Sequence, residues 1–81
     1  MNVVLSDRVV EALEDAPISI RRAFNKQLRF LVGNLHHPSL RAKKYDESHG
    51  LWQARVNKGW RFYFMIAGDT YYIEDVIPHP K

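Results

Sequence analysis

The stretch "ARVNKGWRF", residues 54–62, predicts a β-hairpin. Two alternating runs flank Asn57-Lys58-Gly59, and a three-residue loop with glycine in the left-handed conformation is a common hairpin closure. The predicted cross-strand pairs are Val56 with Trp60, Arg55 with Arg61, Ala54 with Phe62, Gln53 with Tyr63, and Trp52 with Phe64. One face of this hairpin is therefore apolar and suited to a core. The other face carries two arginines and their polar neighbours.

The polar face of the hairpin places Arg55 directly across from Arg61. Like charges in directly opposed positions destabilise a sheet. Arginines on a rigid strand stay charged and bind phosphate through two parallel hydrogen bonds. We interpret the pair as a phosphate clamp. The alternative is that one of the two arginines pairs with Glu74, Asp75 or a neighbouring strand.

Two helices are expected before the hairpin. Ser6-Asp7 is typical of a helix start, and a second helix is expected at about residues 19–32, ending at Gly33-Asn34. Apolar residues recur at helical spacing on one face of each helix: Val9, Ala12, Leu13 and Ala16 in the first, and Ile20, Ala23, Phe24, Leu28 and Leu31 in the second. Each helix therefore has one face that must be buried.

Strands are expected on both sides of the helices. "NVVL", residues 2–5, predicts a short first strand, and Lys43 to Asp46 a short strand before the hairpin. Gly68-Asp69 predicts a second tight turn, between "RFYFMIA" and "TYYIEDVI". The predicted fold class is α+β in one domain over residues 1–81. Two N-terminal helices pack on one face of a twisted, mainly antiparallel sheet of four to five strands.

Composition narrows the classes of protein to consider. The chain has 81 residues and no cysteine, which excludes disulfides and thiolate metal sites. No segment resembles a signal peptide, and no apolar run is long enough to span a bilayer. We therefore expect a cytoplasmic protein with no membrane partner. Residues 18–61 carry ten Lys and Arg against two acids, a balance of +8. Such a basic zone suits nucleic acid, although a merely solvated surface is an equal alternative.

The ordered set of elements resembles the RelE/ParE superfamily, the small bacterial toxins of type II toxin–antitoxin systems. The segments that carry the resemblance lie within residues 36–79: "HPSLRAKK", "LWQARV", "WRFYF" and a terminal histidine. The resemblance implies one of two activities. RelE, YoeB and YafQ toxins are mRNA interferases, which cleave messenger RNA in the ribosomal A site and inhibit translation. ParE toxins poison DNA gyrase.

The resemblance also implies partners. They are a cognate antitoxin protein, the ribosome and mRNA, with a homodimer and a toxin–antitoxin hetero-oligomer both left open. The implied endoribonuclease uses no cofactor and no metal. His36 and His37 are adjacent in a loop, but a metal site would need further ligands at fixed geometry.

The residue pattern is most similar to that of YoeB. In that pattern a Trp precedes an Arg on one strand, an Arg-aromatic pair opens the next strand, and a His lies near the end. Trp52, Arg55, Arg61 and His79 occupy these places. The chain departs from the family elsewhere. The YoeB carboxylate that acts as general base falls near Pro38-Ser39, and the two strand lysines of RelE fall near Leu51 and Gln53. Pro80-Lys81 stands where an aromatic residue closes the family pattern, and the usual C-terminal helix has no counterpart.

Cleavage of this kind deprotonates a 2′-OH, stabilises the charged phosphorane and protonates the 5′-oxygen. The expected catalytic residues are Arg61, His79 and Arg55, with the arginines on the phosphate and His79 as general acid. Four residues are expected to bind phosphate or RNA: Lys43, Lys44, Arg41, and Tyr63 through base stacking. Three residues are candidate bases in place of the missing carboxylate: His49, Asp46 and Glu47. Without the resemblance, each lysine is better explained as a solvated surface charge, and His79 as an exposed histidine between two prolines.

Two other functions stay open beside the ribonuclease. The missing carboxylate is consistent with a ParE-like gyrase inhibitor. It is also consistent with a catalytically silent RelE-like protein that only binds antitoxin or RNA.

Overall fold

A computed structural model describes residues 1–79. The elements in chain order are β1 (Asn2–Leu5), α1 (Asp7–Asp15), α2 (Ile18–Gly33), β2 (Lys43–Asp46), β3 (Leu51–Asn57), β4 (Trp60–Ala67) and β5 (Thr70–Pro78). Single 3-10 turns at Pro38–Leu40 and Glu47–His49 flank β2. The helices of this part of the chain are too short and too polar for any of them to cross a membrane.

The strands form one sheet of five, in the order β1-β5-β4-β3-β2. β1 runs parallel to β5, and the other neighbours are antiparallel. β1 and β2 lie at opposite edges of the sheet, and α1 and α2 connect them across one face. The predicted α+β class, with a short first strand and a mainly antiparallel sheet, is confirmed.

Both helices pack on the same face of the sheet. Ser6 begins α1 as predicted, its Oγ accepting a hydrogen bond from the backbone N of Val9 at 3.2 Å. α2 ends at Gly33, where the backbone N of Asn34 donates to the carbonyl of Phe30 at 2.7 Å. The core joins the two helices to β3, β4 and β5, and its fully buried large side chains are Phe24, Phe62, Phe64, Leu31, Leu40, Ile73, Val9 and Val76.

The β3–β4 hairpin has the predicted register except at its tip. Arg55 pairs with Arg61, and the pairs from there to Trp52 with Phe64 are as predicted. The predicted pair of Val56 with Trp60 is wrong, because Asn57 pairs with Trp60 and Val56 is an extra residue in a bulge.

The predicted left-handed glycine at the hairpin tip is also wrong. Gly59 does not have positive φ, and its backbone N donates to Asn57 Oδ1 at 2.8 Å. The asparagine side chain supplies the hydrogen bond that tightens the turn, so a left-handed residue is not required there.

Candidate functional site

The face of the sheet away from the helices carries three rows of side chains that run across the strands. The row nearest the β3–β4 turn consists of Ile77, Arg61 and Arg55; the middle row of Asp75, Tyr63, Gln53 and Lys43; the third row of Val4, Tyr72, Met65 and Leu51. Arg55, Arg61 and Tyr63 therefore share this open face, as the predicted register required. The open face is basic at one end and apolar at the other.

Four cations surround one cavity at the basic end, which we term the arginine cavity. It has a volume of about 300 Å³ and is lined by Arg41, Lys43, Gln53, Ala54, Arg55 and Arg61. No carboxylate of residues 1–79 is part of this lining. An unneutralised cluster of this kind attracts anions. Four of the predicted phosphate-contacting residues are thus brought together by three separate segments of the chain.

Arg41 reaches the arginine cavity from the loop before β2 through an unusual backbone conformation. It follows the 3-10 turn Pro38–Leu40 and has φ 46° and ψ 43°, in the left-handed region. A residue with a Cβ adopts that conformation at a cost, and such residues cluster at functional sites. This turn aims the chain from α2 toward the open face.

Arg61 is fixed by the hairpin that it helps to close. Its Nη1 donates to the carbonyls of Asn57 at 2.8 Å, Trp60 at 2.9 Å and Lys58 at 3.3 Å. Burial lowers the pKa of Arg61, and the charges of Arg55 and Arg41 lower it further, whereas Tyr63 acts in the opposite direction. A guanidinium remains charged despite such a shift.

Arg55, which pairs with Arg61 across the ladder, has fewer of its hydrogen-bond donors in use. Arg55 Nε is buried and has no hydrogen-bond partner in the described part of the chain. Buried polar atoms are nearly always hydrogen-bonded, so the Nε of Arg55 is an unused donor within the described part of the chain.

An aromatic pair lies beside the arginine cavity. Tyr63 accepts a hydrogen bond from Gln53 Nε2 at 2.9 Å, and its ring meets that of Tyr45 edge to face at 5.0 Å between centroids. Tyr45 is 58% exposed. Our sequence analysis missed Tyr45, although alternation along β2 puts it on the same face as Lys43. Both rings offer surfaces on which a base can stack.

Lys43 and Lys44 are consecutive residues of β2, so their side chains point to opposite faces of the sheet. Lys43 pairs with Gln53 and lines the arginine cavity, whereas Lys44 pairs with Trp52. The Nζ atom of Lys44 lies 6.0 Å from the centroid of the Trp52 ring, on the helix side of the sheet. The two lysines therefore lie on opposite faces of the sheet.

The three candidate bases lie in the β2–β3 turn. His49 Nδ1 lies 2.7 Å from Asp46 Oδ2, and Ser48 Oγ donates to Asp46 Oδ1 at 2.7 Å. The hydrogen bond from Ser48, followed by that from His49, lowers the pKa of Asp46. Leu51, where β3 begins, is four residues from Arg55, a distance of about 13 Å along a strand. None of the three candidates, His49, Asp46 and Glu47, lines the arginine cavity.

His79 lies at the opposite end of the sheet from those candidates. Its backbone N donates to the carbonyl of Gly59 at 2.7 Å, so the residue directly after β5 is tied to the β3–β4 turn. Two residues earlier, Ile77 pairs with Arg61. The ring of His79 is exposed and belongs to the Arg61 end of the sheet. Pro80 and Lys81, which depart from the family pattern, lie outside the described residues.

A second cavity, which we term the edge cavity, adjoins the first. It has a volume of about 630 Å³, and its polar lining includes Lys26, Gln27, Ser39, Arg41, Arg55 and Lys58. Arg41 and Arg55 line both cavities. Our sequence analysis missed Lys26 and Lys58, because no local pattern shows that α2 and the β3–β4 turn approach each other.

Gln27 joins the segments around the edge cavity. It is only 6% exposed, and its Nε2 donates to the carbonyls of Arg55 at 2.9 Å and Ser39 at 3.0 Å. Ser39 Oγ in turn donates to Gln27 Oε1 at 3.2 Å and lies 3.0 Å from His37 Nδ1. A buried glutamine therefore holds the loop that carries Arg41 against the strand that carries Arg55.

Known proteins resemble this chain in structure but not detectably in sequence. No family model matches the chain, and no curated protein sequence matches it. The YoeB/ParE toxin from Agrobacterium tumefaciens is similar in structure, with a TM-score of 0.82 at 14% identity over 99% of this chain and 100% of that one.

Two further solved structures agree with that match. RelE in the archaeal RelE–RelB complex from Pyrococcus horikoshii OT3 has a TM-score of 0.80 at 20% identity, over 95% of this chain and 92% of that one. The YoeB dimer from Staphylococcus aureus has a TM-score of 0.81 at 15% identity, over 99% and 98%. The chain has the fold of the RelE and YoeB toxins, and the predicted resemblance is confirmed at the level of fold.

Proposed function

We propose that this protein is the toxin of a toxin–antitoxin pair and that it cleaves mRNA in the ribosomal A site without a metal ion. The toxin fold supports the first part. The observation that carries the second part is the arginine cavity, in which four cations from three segments face one space that no described carboxylate lines. A phosphodiester is the anion that such a cluster of guanidinium and ammonium groups suits.

The proposed roles follow from position. Arg55 and Arg61 hold the scissile phosphate and neutralise the phosphorane as the 2′-oxygen attacks, with Arg41 and Lys43 beside them. The proton of the 2′-OH passes to solvent water as the 2′-oxygen bonds to phosphorus, since the described lining of the arginine cavity supplies no carboxylate or imidazole to take it. His79 donates a proton to the 5′-oxygen as the bond from phosphorus to that oxygen breaks, so that the products are a 2′,3′-cyclic phosphate and a free 5′-hydroxyl. Tyr63, with Tyr45, stacks on a base next to that phosphate. Lys44 has no role in this proposal, since it faces the helix side of the sheet.

The proposal is tested by inducing the protein in bacteria and mapping the 5′ ends of cellular mRNA. New ends inside codons are expected for the wild type and are expected to disappear in Arg61→Ala. Lys44→Ala is the matched control, because it removes one cation from β2, on the other face of the same sheet. Growth arrest without new mRNA ends would contradict the ribonuclease.

An antitoxin is the proposed partner, with both proteins in the cytoplasm. The open face combines four cations with an apolar row that includes Val4 and Tyr72, which are 46% and 39% exposed. An acidic, amphipathic segment is complementary to such a surface. Among the similar structures, RelE from Pyrococcus horikoshii OT3 is in complex with RelB, and YoeB from Staphylococcus aureus with YefM. Co-purification with the product of an adjacent gene tests the partner, and separate elution at low salt would contradict it.

The absence of a nearby general base in the described chain favours a function other than RNA cleavage. The two alternatives are a toxin that acts on DNA gyrase and a catalytically silent binding protein. Among residues 1–79, no carboxylate or imidazole lines the arginine cavity, and the candidate bases Asp46 and His49 lie at the far end of β3. A purified wild type that inhibits supercoiling by gyrase and leaves mRNA on programmed ribosomes intact would establish the gyrase candidate. A protein inactive in both assays that still binds antitoxin would establish the silent one.

A further inference from the structure

The edge cavity exists because β2 covers only part of its neighbour. β2 pairs with β3 no further than Gln53, so no strand of the described chain lies beside the remaining edge of β3. α2 and the 3-10 turn Pro38–Leu40 cover that edge instead, and Gln27 bridges the gap with its two hydrogen bonds. The resulting volume of about 630 Å³ lies within the usual range of ligand pockets, about 300–1,000 Å³.

The charge of the edge cavity is one-sided. Lys26 of α2 and Lys58 of the β3–β4 turn line it together with Arg41 and Arg55, and its lining contains no carboxylate from the part of the chain that the structure describes. The ion pairs found within residues 1–79 are Arg8 with Asp75 and His49 with Asp46, so none of these four cations has an acidic partner there. Four like charges around one space repel each other unless an anion occupies it.

Hydrogen bonding in the cavity also favours an anion. Arg55, whose buried Nε has no hydrogen-bond partner in the described part of the chain, lines both cavities. Both Nε2 protons of Gln27 are already used on carbonyl groups, and its Oε1 accepts from Ser39. Gln27 therefore lacks a free donor with which to recognise a base. The charged donors of the cavity are those of its four cations, which contact phosphate without regard to sequence.

We propose that the edge cavity binds a second phosphodiester of the RNA strand whose scissile phosphate lies between Arg55 and Arg61. The strand passes the shared wall of Arg41 and Arg55 and continues toward Lys26 and Lys58. This inference rests on the proposed ribonuclease function, since it takes RNA as the ligand. Lys26 and Lys58 then contribute affinity and register on the strand and take no part in bond cleavage.

The test compares two double variants with the same change in charge. Lys26→Gln/Lys58→Gln alters the edge cavity. Arg21→Gln/Arg22→Gln is the control, because both residues are exposed on α2 and neither lines either cavity. The probes are fluorescent single-stranded RNAs with 2′-O-methyl groups, one a dinucleotide with a single phosphodiester and one a hexanucleotide. Binding is measured by fluorescence anisotropy over a range of salt concentrations.

The edge-cavity variant is expected to bind the hexanucleotide roughly fivefold more weakly than the wild type. Its slope of log K against log salt is expected to be about 0.7 shallower, the value for one phosphate contact on a single strand. Its affinity for the dinucleotide is expected to match that of the wild type, and the control variant is expected to keep the wild-type salt slope for the hexanucleotide.

Three results would overturn the second phosphate site. The site would be ruled out if the two double variants had equal affinity and equal salt slope for the hexanucleotide. It would also be ruled out if the edge-cavity variant lost as much affinity for the dinucleotide as for the hexanucleotide. Unchanged RNA binding with lost antitoxin binding would assign the cavity to an acidic protein segment instead. If the wild type cleaves mRNA on ribosomes in any of these cases, the proposed function stands and only the second site falls. A wild type that neither binds RNA nor cleaves it would end both proposals.

Discussion

Arg55 lies directly across the β3–β4 ladder from Arg61 on the open face of the sheet. The two arginines differ in how they are held. Arg61 is tied to three carbonyls of the turn, whereas the buried Nε of Arg55 has no partner in the described chain. One arginine is thus preorganised by the hairpin, and the other retains unused hydrogen-bonding capacity beside two cavities.

The opposed pair of Arg55 and Arg61 is predicted to serve function while it lowers the free energy of unfolding. Arg55→Gln removes a like charge from the opposed pair, so the free energy of unfolding is expected to stay unchanged or rise by up to about 1 kcal/mol. Arg61→Gln is expected to lower it by about 1 kcal/mol, because the hydrogen bonds to the turn are lost. Urea unfolding of both variants measures the difference. Equal destabilisation would show that the opposed charges cost nothing.

His79 is predicted to act in chemistry and not in binding. General acid catalysis contributes about 10²–10⁴-fold, so His79→Ala is expected to slow single-turnover cleavage on programmed ribosomes by a factor in that range. Ribosome binding is expected to stay nearly unchanged. His36→Ala, which removes an exposed imidazole from a loop, is the control. A wild-type cleavage rate in His79→Ala would remove the acid role.

Gln27 is predicted to be the main structural support of both cavities. Gln27→Leu leaves the carbonyls of Ser39 and Arg55 without their donor, which is expected to cost about 1–3 kcal/mol of unfolding free energy. Asn25→Ala, an exposed change in the same helix, is expected to stay within about 0.5 kcal/mol. Thermal or urea unfolding gives both values. A neutral Gln27→Leu would mean that other contacts hold the loop.

The Asp46 turn predicts a pH dependence of stability. The hydrogen bond from Ser48, and then that from His49, holds the pKa of Asp46 below its ordinary value of 3.8. A carboxyl whose folded pKa is depressed contributes stability above its unfolded pKa, and that contribution is lost as the pH falls through the folded pKa. Ser48→Ala is therefore expected to raise the pKa of Asp46 toward the ordinary value in an NMR titration. An unchanged pKa in that variant would contradict the hydrogen-bonded turn.

Most of the fold could be predicted from local patterns. Ser6 begins α1, Asn34 ends α2, and the alternation around Arg55 and Arg61 defines the hairpin faces, because these features depend on neighbours a few residues away. The conformation of the hairpin tip could not be predicted in this way. The loop length suggested a left-handed glycine, whereas in the structure the turn is closed by a hydrogen bond to the Asn57 side chain.

The candidate site was predictable only in part for a related reason. The faces of Arg55, Arg61 and Tyr63 follow from strand alternation, whereas the approach of Lys26 and Arg41 depends on how α2 and its loop close over the uncovered edge of β3. The candidate bases Asp46 and His49 have the required chemistry, but the length of β3 separates them from the arginines. Contacts set by the packing of distant segments leave no local trace in the sequence.

The most direct test of the central claim is single-turnover cleavage of a defined mRNA on ribosomes programmed with it, by the wild type, Arg61→Ala and Lys44→Ala. The account predicts a cut within the A-site codon by the wild type and by Lys44→Ala at similar rates, with a loss of at least about tenfold in Arg61→Ala. An intact message after incubation with the wild type, or equal cleavage by all three proteins, would contradict it.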